Sequence, residues 1–166
     1  PYGADLKHPT LKNTKARLCK GNEDDRSESE DTHKGLIIAT TMSMPLTDND
    51  LYEVCCFDSS LMLMGNAAKT KVGNNGVARA IMQSAYAWTE GEYYCFVRHN
   101  GVPFAKITLS ISAEGKAVVS SIEAMEASSP LYIMARRADS IAKMQDLFNA
   151  AGCRNIKERG LLFHRA

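Results

Sequence analysis

Residues 92–124, EYYCFVRHNGVPFAKITLSISAEGKAVVSSIEA, decide the fold. Asn100-Gly101 separates two runs rich in β-branched and aromatic residues. Asn-Gly is the strongest short hairpin signal, because both central residues of the tight turn take positive φ. Ala113-Glu114-Gly115 is a second, three-residue connection, with glycine available for the left-handed position. Three consecutive antiparallel strands are therefore expected.

Working outward, Ser128-Ser129-Pro130 breaks the chain, and Leu131–Met134 reads as a short strand. Asp139 or Ser140 begins a last helix with apolar positions Ile141, Met144, Leu147, Phe148 and Ala151, stopped by Gly152. Residues 153–164 are expected as a final strand. Upstream, Val77, Ala80, Ile81, Ser84, Ala85 and Trp88 follow helical spacing, which predicts a helix over 76–88. Leu36–Ser43 reads as a strand ended by Pro45. Thr47 and Asp50 resemble a helix start, while the following LYEVCCF suits either a helix or a strand. The expected class is α+β, a mainly antiparallel sheet with helices packed on it.

Residues 21–35, GNEDDRSESEDTHKG, contain no large apolar side chain and cannot offset their ordering entropy by burial. Residues 1–35 are accordingly expected as a flexible arm or linker, and residues 36–166 as one domain. The chain begins with Pro1, which suggests a fragment or a processed product.

Charged residues make up 23% and hydrophobic ones 45%, an ordinary globular balance, and the net charge of +1 implies no strong field. Nucleic acid and membrane are therefore not expected as partners, and no apolar run approaches the ~18 residues that cross a bilayer. Five cysteines, an odd number without C-x-x-C spacing, argue for buried reduced thiols and a cytoplasmic setting. No metal site is expected.

Three groups of residues suggest chemistry. Gly73-Asn74-Asn75-Gly76, ahead of the expected helix and just after Lys69 and Lys71, would present free N–H groups to a phosphate-bearing cofactor. Glu123, near the end of the third strand, is a general-base candidate if burial raises its pKa; alternation puts it on the face opposite Ile122 and Ala124. Glu90 and Glu92, two residues apart beside a strand, can orient a substrate hydroxyl and stabilise a cationic transition state. Cys95 and His99 would lie about 13 Å apart on one strand face, too far for a nucleophile–base pair.

From residue 92 onward the order of elements resembles the GNAT-type N-acetyltransferases. YYCFVRHNGVPFAKI compares with their glycine-turned hairpin, and LYIMARRADSIAKMQDLFNAAGCRNIKERGLLFHR with their closing strand–helix–strand unit. The resemblance implies acetyl-CoA as cofactor, a protein or small amine as acceptor, and Glu123 as base. Phe148 stands where that family often has a tyrosine acid, and Gly73–Ala78 precedes the hairpin instead of following the central strand. Glu90-Gly91-Glu92 also resembles the Glu-x-Glu element of ADP-ribosyltransferases. Thr40-Thr41-Met42-Ser43 is then compared with their Ser-Thr-Ser element, and Arg17 with their arginine. That resemblance implies an effector or toxin domain using NAD. A non-catalytic domain that presents its sheet or its arm to a protein partner is the third expectation.

Overall fold

The computed structural model describes residues 9–19, 35–42, 50–65, 67–73, 76–83 and 88–152. Nine strands and two helices follow in order among them. They are β1 (Leu11–Cys19), β2 (Gly35–Met42), β3 (Tyr52–Asp58), β4 (Ala68–Lys69), β5 (Lys71–Val72), β6 (Val77–Gln83), β7 (Gly91–His99), β8 (Val102–Ile111), β9 (Ala117–Ala124), α1 (Pro130–Arg136) and α2 (Ala138–Ala150).

The β7–β8–β9 meander is present as expected. Asn100 and Gly101 take φ of 49° and 83°, and Gly115 takes φ of 81° in the second turn. All strand pairings are antiparallel. The four-stranded sheet A runs β1-β2-β6-β5, and the five-stranded sheet B runs β4-β3-β7-β8-β9. The chain passes from one sheet to the other at Thr70, whose N–H donates to Tyr52 O at 2.8 Å.

Two apolar layers follow from strand alternation. Leu36, Ile38, Ala80 and Met82 of sheet A meet Val54, Cys56, Cys95, Val97, Ile107 and Leu109 of sheet B in one continuous core. The intervening residues Cys55, Phe57 and Phe96 face the other way and pack on Ala135, Ala138 and Ala142 of the helices. The result is a sheet–sheet–helix stack, an α+β domain with mainly antiparallel sheets.

Four expectations are corrected. Residues 77–83 are strand β6, not a helix; residues 84–87 lie outside the described set. Ala78, Ala80 and Met82 are buried while Arg79 is exposed, a period of two that the alanines had also allowed. The Gly73–Gly76 turn therefore caps no helix. It closes the β5–β6 hairpin, with Gly73 N–H donating to Val77 O and Gly76 N–H to Gly73 O, both at 3.0 Å.

Leu131–Met134 is helical and lies within α1. Ser129 caps that helix by accepting from the N–H of Leu131, and Pro130 occupies its first turn, where a missing N–H costs nothing. Residues 11–19, inside the expected arm, form β1 and pair with β2 from Leu11 to Cys19. Of the two readings of LYEVCCF, the strand is the one observed. The expected helix start at Thr47, the acidic run 21–34 and the expected strand 153–164 lie outside the described residues.

Candidate functional site

Among the described residues, the helices cover only part of the outer face of sheet B. They pack over the end that carries Phe57 and Phe96. The remainder is defined by register. Glu92 stands opposite Ser110, which stands opposite Val118. Tyr94 stands opposite Thr108, and Thr108 opposite Ser121. Phe96 stands opposite Lys106, and Lys106 opposite Glu123. Directly paired residues share a sheet face, so these side chains lie together.

A bulge sets the last column of this array. The β8–β9 register shifts between Thr108 and Leu109, so Ser120 has no partner residue, and its hydroxyl donates to Thr108 O at 3.0 Å. The one extra residue, Ser120, therefore separates inward Val119 from outward Ser121. Ile122 then faces buried Ile107, and Glu123 faces outward beside Lys106.

Contacts within the array are polar and aromatic. The Tyr94 hydroxyl donates to Glu92 Oε1 at 2.6 Å. Lys106 Nζ sits 4.9 Å from the centroid of the Tyr94 ring, within cation–π range. The Ser121 hydroxyl donates to Glu123 Oε1 at 3.5 Å. The hydrogen bond to Glu92, then burial, raise the Tyr94 phenol above its ordinary pKa of 10.0.

The expected site residues do not converge. Glu92 and Glu123 share the outer face, but four residues along the strands and two strand spacings separate them. At ~3.3 Å per residue and ~4.8 Å per strand their backbones are roughly 16 Å apart. Glu90 precedes β7 and is exposed. Arg17 pairs with Ile37 and Thr40 shares the face of core residue Ile38, so the two lie on opposite faces of sheet A. Thr40 is bound inside that sheet, its hydroxyl 2.7 Å from that of Thr14. Arg17 and Glu92 thus stand on the outward faces of two stacked sheets. Gly73 and Gly76 spend their N–H groups within the hairpin turn, and the placement of Asn74 and Asn75 lies outside the described residues.

Three buried polar constellations were not anticipated. Arg98, 2% exposed, lies 3.1 Å from Glu53 and donates to the carbonyls of Ala135 and Arg136 at 3.4 Å each. His99 Nε2 lies 2.8 Å from Asp50 Oδ1, and its ring stacks on Tyr52 at 4.4 Å. Cys56 and Cys95 are directly paired across β3 and β7, with sulfurs 2.7 Å apart. Each joins residues about 40 or more positions apart, so no local pattern signalled them. Among the described residues, no cluster of three or more His, Cys, Asp or Glu could hold a metal ion. No described helix is long and apolar enough to cross a membrane.

Comparison with family models, with curated proteins and with solved structures finds no match to this chain.

Proposed function

We propose that this is a non-catalytic interaction domain that presents to a protein partner the part of sheet B's outer face that helices α1 and α2 leave open. The observation that carries the reading is the register array of Glu92, Tyr94, Lys106, Thr108, Ser110 and Val118 on one sheet face, where Glu92, Ser110 and Val118 are exposed and half-buried Tyr94 borders the helical cluster. A tyrosine with both an apolar ring and a polar tip is a favoured interface anchor. Hydroxyls and a β-branched side chain around it suit a mixed polar and apolar protein surface. Glu92 and Glu123 outnumber Lys106 there, so the face repels a polyanion such as nucleic acid. Less supports the transferase readings: the Gly73 and Gly76 N–H groups offered to a cofactor phosphate are used within their own turn, and Arg17 stands on a different sheet from Glu92.

Photo-crosslinking in the organism's own extract tests this. A photoreactive amino acid placed at Ser110 should give one discrete adduct, and Lys106→Glu or Tyr94→Ala should abolish it. The same probe at Lys143, on α2, should give no such adduct. If the Ser110 adduct is absent, or survives both substitutions, the reading fails. A rise in Tm with acetyl-CoA or NAD would instead favour one of the transferase readings, since a ligand of the native state stabilises it.

A further inference from the structure

The pairing of Cys56 with Cys95 carries a second, independent reading. The two residues are direct partners in the β3–β7 ladder, at the centre of the five-stranded sheet. Their sulfurs face each other in the core between the sheets, 2.7 Å apart, as free thiols. Directly opposed antiparallel residues have Cα separations of about 4.5 or 5.5 Å, depending on the type of pair. Both values fall within the roughly 4.4–6.8 Å that a disulfide spans. The backbone thus already has the spacing that the bond requires.

We propose that Cys56 and Cys95 are a specific disulfide-forming pair that cross-links β3 to β7 when the chain meets a small-molecule disulfide oxidant.

The chemistry is two thiol–disulfide exchanges. One cysteine, as thiolate, attacks a sulfur of the oxidant, forms a mixed disulfide and releases one small thiol. The second cysteine, as thiolate, attacks the protein sulfur of that mixed disulfide, closes the Cys56–Cys95 bond and releases the second small thiol. Two electrons pass to the oxidant, and the two thiol protons end on the released thiols. Cys56 and Cys95 are 1% and 0% exposed, so the exchange proceeds during folding or through opening of the strands, not at the closed surface.

Selectivity comes from strand alternation. Cys55, the immediate neighbour of Cys56, is paired with Phe96 and faces the helices. Its sulfur contacts the carbonyls of Phe96 and Ala135 at 3.9 Å. Reaching Cys95 would require β3 to slip by one residue, which would turn its whole core face outward.

The test is refolding of the full chain in excess oxidised glutathione, followed by thiol counting after denaturation and by non-reducing peptide mapping. Wild type should lose two of its five thiols and yield one linked species joining the tryptic peptides that contain Cys56 and Cys95, two hydrogens lighter than the sum. Cys55→Ser should keep that species, and Cys56→Ser and Cys95→Ser should each lose it. Because a core serine can prevent folding and Cys55 is itself 1% exposed, Cys55→Ala is made beside Cys55→Ser, and whichever of the two folds by circular dichroism decides on its own. If that variant keeps all four remaining thiols, or if Cys56→Ser still yields the linked species, the proposal is overturned.

Discussion

The guanidinium of Arg98 lies 3.1 Å from the carboxylate of Glu53, directly across the β3–β7 ladder and beneath the elbow between α1 and α2. Arg98 also donates to the last carbonyls of α1, at Ala135 and Arg136, where the helix leaves acceptors without partners. One side chain thus ties the helical layer to the sheet. Asp139, at the start of α2, lies 3.6 Å away but is 68% exposed, so its share in the cluster is screened.

Arg98→Met removes the cation and leaves Glu53 and the two carbonyls beneath the helices without it. The expected loss is about 3–5 kcal/mol, as for breaking one side of a buried ion pair. Asp139→Asn should cost under ~1 kcal/mol. Urea unfolding midpoints measure both. Equal effects of the two substitutions would show that Arg98 is not the tie.

At the β7–β8 turn, Asn100 Oδ1 accepts from the N–H of Leu51 and its own N–H donates to Leu51 O, both at 2.8 Å. Gly101 has φ of 83°, which an L side chain rarely adopts, although a Cβ there would meet open space. Gly101→Ala should therefore cost about 1 kcal/mol through backbone strain alone. Asn100→Ala should cost about 1–2 kcal/mol by removing the side-chain acceptor and the residue best suited to positive φ. Thermal unfolding of each variant checks both values.

Burial pushes the Cys55 thiol from 9.0 up to about 12, against the opposing pull of the Arg98 guanidinium. Burial, then the hydrogen bond with Cys95, also raise Cys56. A thiol whose folded pKa is raised binds its proton more tightly in the folded chain. Its stabilising contribution is complete below the unfolded value near 9 and is lost as pH rises from 9 through about 12. Under reducing conditions, stability should fall over that window, and less steeply in Cys55→Ala. At pH 8.5, Cys55 and Cys56 should resist iodoacetamide until the chain is unfolded. Prompt alkylation of the native protein at either position would contradict their burial.

The Tyr94 hydroxyl donates to the Glu92 carboxylate, and this bond is the leading cause of its raised pKa. Glu92→Gln should bring the phenol back toward its ordinary value. Ultraviolet titration of tyrosinate, read as a difference between wild type and variant, measures the shift. An unchanged profile would mean that the pair does not form in solution.

The turns were legible in the sequence because their signal is local. Asn100-Gly101 and Gly115 take positive φ in their turns, and the antiparallel pairing of β7 with β8 follows from that hairpin. The helix α2 was legible for the same reason: apolar spacing and a terminal glycine act within one element. Val77–Gln83 was not, because Val77, Ala80, Ile81, Ser84, Ala85 and Trp88 satisfy a period of 3.6 while Ala78, Ala80 and Met82 in the same stretch satisfy a period of 2. What settled it was pairing with β2 on one side and β5 on the other, which satisfies the backbone polar groups of β6 as a strand.

Local chemistry, then, determined where the β7–β8–β9 meander reverses and where α2 ends. Tertiary structure alone decided which strands became neighbours. It brought Arg98 to Glu53 and Cys56 to Cys95, and through the unpaired Ser120 it set Glu123 beside Lys106 and far from Glu92. Such partnerships depend on strand order and register across dozens of residues, and those are settled by the packing of the two sheets and the helices, not by any short stretch of sequence.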